Sequence, residues 1–216
     1  MNAENAPLLQ RASTGMRRRR FEFFRNLVRD LPRPIRILDV GGTESFWREV
    51  DFAAPTDVQL TILNLEMPRL TLPNAVGMTG DARGLRQIAD GQFDIAFSNS
   101  VIEHVGDYAD QCAMAAEMRR VGKRYFVQTP NRHFPLEPHF MTPFYQYLPE
   151  GLAVWLLQHF RLGNVPRTRD REQALRAVRA TRLMTRKQLV SAFPGARLYE
   201  EKAFGLVKSY TCYGGF

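Results

Sequence analysis

The sequence is short of most features that would mark an unusual protein. In 216 residues there are two cysteines, Cys112 and Cys212, and no CxxC spacing, which excludes a cysteine-rich zinc site and a redox dithiol and fits a reducing compartment. No apolar run approaches the roughly 18 to 20 residues of a membrane span. After the arginine run at 17–20, Glu22, Arg25 and Asn26 break the apolar stretch that a secretory leader would need. A cytoplasmic protein is expected. Repeats and low-complexity tracts are missing as well, and 44% hydrophobic with 24% charged residues is the composition of an ordinary globular domain. A chain of this length hides roughly 70% of its unfolded surface. The organisation expected is a polar arm at 1–15 and a single domain over 16–216.

Acidic residues are the remaining shortage. Thirty Lys and Arg face 22 Asp and Glu, a net charge of +8. Beyond the run at 17–20, the excess gathers between Arg161 and Lys187, where Asp170 and Glu172 are the acids. Such a field attracts nucleic acid, anionic lipid or an acidic substrate, while a solvated basic helix face is the plainer explanation. Nucleic acid is disfavoured, because no RNP-like strand or zinc-finger spacing accompanies the charge. Peripheral contact with an anionic membrane stays open.

Apolar positions Phe21, Phe24, Leu27, Val28 and Leu31 predict an amphipathic helix over 16–31. Short runs rich in β-branched residues predict strands at 35–40, 58–65, 75–79, 93–98 and 123–129, with a helix at 108–121. Strands so alternating with helices or loops predict a doubly wound α/β domain with a parallel sheet. After Pro130 the alternation stops. Residues 131–184 read as a lid or substrate-shaping insertion holding a helix at 151–160, before a last helix at 185–193 and a closing β-hairpin at 196–203 and 206–213.

The chemistry-bearing residues cluster at strand ends. Asp39, Gly41 and Gly42 close the first strand, where glycine lets a flat, charged cofactor lie against main-chain atoms. Asn64 and Glu66 follow the second strand at the distance from Gly42 where such folds place a ribose partner. Asp81 and Ala82 follow the third strand, and Asn99 and Ser100 the fourth. In a parallel sheet all four turns share one edge, which describes a nucleoside-shaped pocket.

These stretches, ILDVGG at 37–42, GDARGL at 80–85, FDIAFSNSVIEHV at 93–105 and YFVQTPN at 125–131, resemble the class I S-adenosylmethionine-dependent methyltransferases. The branch they look most like contains ubiquinone-biosynthesis-type O-methyltransferases. The resemblance implies a Rossmann-like seven-stranded sheet, S-adenosylmethionine as cofactor, and a small-molecule, glycan or lipid-linked acceptor. It also implies that Asp39, Gly41 and Gly42 line the methionine side, that Asn64 or Glu66 bonds the ribose, that Asp81 and Ala82 meet the adenine, and that Asn99 and Ser100 lie beneath the sulfonium. Two departures stand out: Thr43 replaces the next motif glycine, and Asn64 stands at the usual ribose acid.

His104 comes just past the fourth strand, where the reacting methyl would sit. Imidazole changes charge near neutral pH and suits a general base, the alternative being a cap or packing role. In the ubiquinone-type branch an ExxEH stretch looks like a divalent-metal site. Here Ser100 takes the first Glu position, so a metal at Glu103 and His104 would need His133 or His139. Asn131, His133, Glu137 and His139 are the acceptor-binding candidates, the last two alternating within a proline-stiffened run. Two other classes stay open: a non-catalytic domain that binds cofactor or partner, and an RNA methyltransferase.

Overall fold

The computed structural model of the chain describes residues 8–50, 52, 57–163 and 165–216, and of 8–14 the backbone alone. Its parallel strands arise from the aliphatic runs: β1 (Ile35–Val40), β2 (Val58–Asn64), β3 (Ala75–Thr79), β4 (Ile95–Asn99) and β5 (Tyr125–Pro130). After a two-residue pair, β6 (Leu136–Glu137) with β7 (Thr142–Pro143), the chain ends in the hairpin β8 (Arg197–Ala203) and β9 (Leu206–Gly214). The seven-stranded sheet has the order β3-β2-β1-β4-β5-β9-β8, with β9 antiparallel to β5. Strand order reverses between β1 and β4, and a doubly wound sheet opens its ligand crevice there, beyond the strand C-termini.

Among the described residues six α-helices accompany the strands: α1 (Leu8–Val28), α2 (Glu44–Glu49), α3 (Tyr108–Val121), α4 (Glu150–His159), α5 (Arg171–Arg179) and α6 (Arg186–Ala192). Side-chain alternation divides β1 between two cores. Ile35 and Ile37 join an aromatic core with Phe21 and Phe24 of α1, Trp47 of α2, Phe97 and Phe126. Leu38 and Val40 face the other way, toward Met114 and Met118 of α3 and Leu189 of α6. The insertion has its own small core, in which Leu157 of α4 packs with Ala174 of α5, Phe140 and Tyr145. Capping boxes start α3, from Asp107 and Asp110, and α6, from Thr185 and Gln188, satisfying the first free backbone N–H groups.

The first helix differs from expectation. It begins at Leu8, so residues 8–15 of the expected arm are helical, and it stops at Val28 instead of Leu31. Leu, Gln, Arg and Ala carry a helix on propensity alone, beyond the stretch whose apolar face packs. Residues 1–7 of the expected arm lie outside the described residues. Helix α2 and the β6–β7 pair have no counterpart in the sequence reading, being too short to show a period.

Candidate active site

Two cavities open at the C-terminal tips of the parallel strands and share one residue, Ser100. The larger, about 450 Å³, is lined by Gly41 from β1, Asn64 from β2, Asp81 and Ala82 after β3, and Ser100, Val101 and His104 after β4. Gly41 holds φ +76°, and a Cβ there would meet Val101 Cγ1 at 2.5 Å, so both the turn and the close approach require glycine. Asn64 Nδ2 donates to the Gly42 carbonyl at 3.0 Å, which fixes the tip of β1 and leaves the amide oxygen as an acceptor for a ligand hydroxyl. Asp81 is ion-paired with Arg83 at 2.6 Å, whose bonds hold its carboxyl below the usual range.

Several sequence candidates do other work. Asp39 shares its strand parity with Ile35 and Ile37, so it points away from the cleft. It is buried, accepts from Trp47 Nε1 at 2.6 Å, and lies against Gly42, where an added Cβ would fall 1.7 Å from Asp39 Oδ2. Burial pushes its carboxyl up to about 7, with the Trp47 bond pulling the other way. Gly42 therefore seats Asp39 rather than the cleft wall. Thr43 is the N-cap of α2, accepting from the Phe46 N–H, which explains why glycine is not needed there. Glu66 is exposed on a bend and contributes nothing to the lining, because strand alternation ends with β2 at Asn64. Asn99 lines the neighbouring cavity instead.

His104 stands in a 3-10 turn at Ile102–His104, and its Nδ1 lies 3.0 Å from the Ala180 carbonyl. A carbonyl only accepts, so Nδ1 carries the proton and Nε2 is left as a base or ligand. The His139 ring meets it edge-on at a centroid distance of 4.8 Å. Glu137, buried, binds His139 Nδ1 at 2.7 Å and also accepts from the backbone N–H groups of His139 and Phe140. Burial opposes a charged His139, but the Glu137 bond and charge together with Glu103 hold its pKa above the ordinary value. Glu103 is fully buried and accepts from Thr129 Oγ1 at 2.9 Å through Oε2, while Oε1 has no hydrogen-bond partner among the described residues. Ligand atoms of Glu103, His104 and His139 all lie within 4.8 Å of one another.

Asn131 and His133 are not brought to this cluster. Asn131 donates to the Val207 carbonyl at 2.8 Å and accepts from the His133 N–H, tying the insertion to the hairpin. His133 is bonded to the Tyr147 hydroxyl at 2.7 Å within the insertion. Sequence reading missed the second cavity, about 140 Å³, where Arg17 and Arg20 of α1 and Glu201 and Lys208 of the hairpin join Asn99, Ser100 and Gln128. The available signal was charge at inward-facing hairpin positions. Ser100 itself holds φ +57°, a strained value for a residue with a side chain, at the junction of both cavities.

Comparison with known proteins agrees with this geometry. Residues 41–125 match a methyltransferase domain family. An uncharacterized protein of Mycobacterium tuberculosis is 32% identical over 77 residues, covering 36% of this chain and 26% of that protein, so the match spans about a quarter of the relative's length. A SAM-dependent methyltransferase structure from Methanosarcina mazei aligns with a TM-score of 0.53 at 16% identity, covering 87% of this chain and 94% of that one. The CurJ carbon methyltransferase aligns at 0.56 and 12% identity, covering 92% of this chain and 53% of its own. At such identities the structures speak for the fold, and the matched segment runs from Gly41 through the strand tips that line the larger cavity. Residues 41–125 of the chain are thus similar to a methyltransferase domain family, and its fold is shared with solved S-adenosylmethionine-dependent methyltransferases.

Proposed function

We propose that this chain transfers a methyl group from S-adenosylmethionine to an oxygen of a small-molecule or lipid- or glycan-linked acceptor. The observation that carries the reading is the left-handed Gly41 at the reversal of strand order, opening on a cleft of about 450 Å³. That volume lies within the roughly 300 to 1,000 Å³ of sites for ligands of drug size. The residues fit the cofactor: Asn64 offers an oxygen to a ribose hydroxyl, Leu65, Ala82 and Val105 offer flat apolar contact, and Ser100 stands at the cleft's inner end.

The bound cofactor supplies an electrophilic methyl on a cationic sulfonium. Ser100, which lines both cavities, donates to Gln128 Oε1 at 2.8 Å and is held at their junction. His104, with Nδ1 committed to Ala180, presents Nε2 to take the proton from the acceptor hydroxyl. The insertion, residues 131–184 with its own core, closes the site and excludes water. Incubation with methyl-labelled S-adenosylmethionine and fractionated cell extract tests the reading. Label should enter a small-molecule or lipid fraction, and label confined to RNA would replace this reading with RNA methylation. Failure of both S-adenosylmethionine and its demethylated product to bind would overturn it.

A metal-assisted version is favoured by one observation, the buried and unpartnered Glu103 Oε1 beside two imidazoles. Nitrogen and carboxylate ligands of this kind suit a divalent ion such as zinc, with Glu137 orienting His139 from behind. For lipid-linked acceptors, α4 exposes Leu152 and Trp155 with Phe160 at its end, next to Arg161 and to Arg167, which bonds the Gln158 carbonyl. An apolar face beside arginines suits an anionic membrane surface. Among the described residues no helix is long and apolar enough to cross a membrane.

A further inference from the structure

The smaller cavity differs from the cofactor cleft in charge. Four charged groups line it: Arg17, Arg20, Glu201 and Lys208. Two of the cations are already matched. Arg20 is buried against Glu201 at 2.7 Å, and Arg17 reaches out to Glu49 at 3.0 Å. Lys208 has no such match. Among the described residues its ammonium contacts the Met16 thioether at 3.8 Å, a weak acceptor for a strong donor. Burial holds the Lys208 pKa below its usual value, and Arg20 and Arg17 push the same way against Glu201. A half-buried ammonium flanked by two guanidiniums is costly unless an anion completes it.

A second observation concerns hydrogen bonding at the other side of the cavity. Among the described residues Asn99 Oδ1, one residue before Ser100, is buried with no hydrogen-bond partner. An amide oxygen in that state calls for a donor such as a hydroxyl. The cavity therefore offers a cation at the hairpin and an unmet acceptor at the strand tip, and its lining also includes the apolar side chains of Phe134 and Leu136. At about 140 Å³ it holds one end of a molecule, not a whole drug-sized ligand.

We propose that this cavity receives the anionic end of the methyl acceptor, a carboxylate or phosphate paired with Lys208, while Asn99 Oδ1 accepts from a hydroxyl of the same molecule. The acceptor class is thus a small hydroxylated acid or phosphate ester. This rests on the methyl-transfer reading of the adjoining cleft.

The test is titration of benzoate, phenyl phosphate and neutral benzamide into the full chain saturated with S-adenosylhomocysteine. At least one anion should bind ten times or more tightly than benzamide, about 1.4 kcal/mol, and which of the two does so assigns carboxylate or phosphate. Lys208→Met should lose that factor and Lys208→Arg should recover most of it. S-adenosylhomocysteine affinity, unchanged in both variants, reports an intact fold. Equal binding of all three probes, binding by none, or anion affinity indifferent to Lys208→Met overturns the proposal. Should Lys208→Met fail to fold, Lys208→Gln and the comparison of charged with neutral probes on the unaltered protein still decide. Failure of S-adenosylhomocysteine itself to bind would instead strike the methyl-transfer reading, and the same titrations on cofactor-free protein would then judge the cavity by itself.

Discussion

Asp39 sets a measurable pH dependence of stability, and Asp39→Asn should remove it. Its carboxyl is fully buried and accepts one bond from Trp47 Nε1 at 2.6 Å, and among the described residues Oδ1 has no partner. Burial raises its pKa from 3.8 to about 7. The difference is roughly 3 units, which at 1.36 kcal/mol each is about 4 kcal/mol. Between those two values the folded protein holds a proton that the unfolded chain has lost, so this group makes stability fall as pH rises, and the loss is complete above about pH 7. Asparagine keeps the shape, accepts the same Trp47 bond and never ionises. Relative to wild type, the variant should gain about 3 kcal/mol between pH 5 and pH 8. Urea unfolding followed by circular dichroism measures this, since the difference between the two proteins cancels every carboxylate they share, among them Glu44, which Thr71 and Arg48 hold down at about 2. A constant difference across that range, or an asparagine variant that is less stable at pH 8, would refute the assignment of a buried, reluctantly charged Asp39.

Three further outcomes are expected. Gly41→Val, whose Cβ meets Val101 at 2.5 Å, should weaken S-adenosylmethionine binding at least tenfold, about 1.4 kcal/mol, by calorimetry; unchanged affinity in a folded variant contradicts the cofactor site. His104→Ala should lower turnover of the identified acceptor roughly 100-fold with cofactor affinity nearly intact, and prior chelation should leave wild-type turnover unchanged if His104 acts as a base but abolish it if a metal is held. Hydrogen exchange across residues 131–165 should slow when S-adenosylhomocysteine and acceptor are both bound, and equal protection in free and bound states would count against a lid.

The parallel sheet was legible because its strands are short runs rich in β-branched and aliphatic residues, ended by glycine, proline or polar residues. The site was legible only where a residue's role follows from its position along a strand. Gly41, Asn64, Asp81, Ala82, Ser100 and His104 all line the expected cleft. Asp39 was misplaced because being at a strand end does not say which face a side chain takes, and parity with Ile35 and Ile37 sends it to Trp47. Glu66 was misplaced for the complementary reason, that alternation was extended past the point where the strand stops. The Arg20–Glu201 pair spans 181 positions, and no local pattern reports a contact so remote in sequence.

That long-range pair has a consequence for how the molecule matures. Strand β9 is made last of the seven yet sits inside the sheet, between β5 and β8, and the small cavity needs Lys208 of that strand together with Arg20 of the first helix. During synthesis β5 therefore waits with an unpaired edge until residues 206–214 have emerged, and an open edge of that kind is where strands of different chains add to one another. Competence to hold an acceptor should consequently appear only once residues 206–214 have been made and paired with β5.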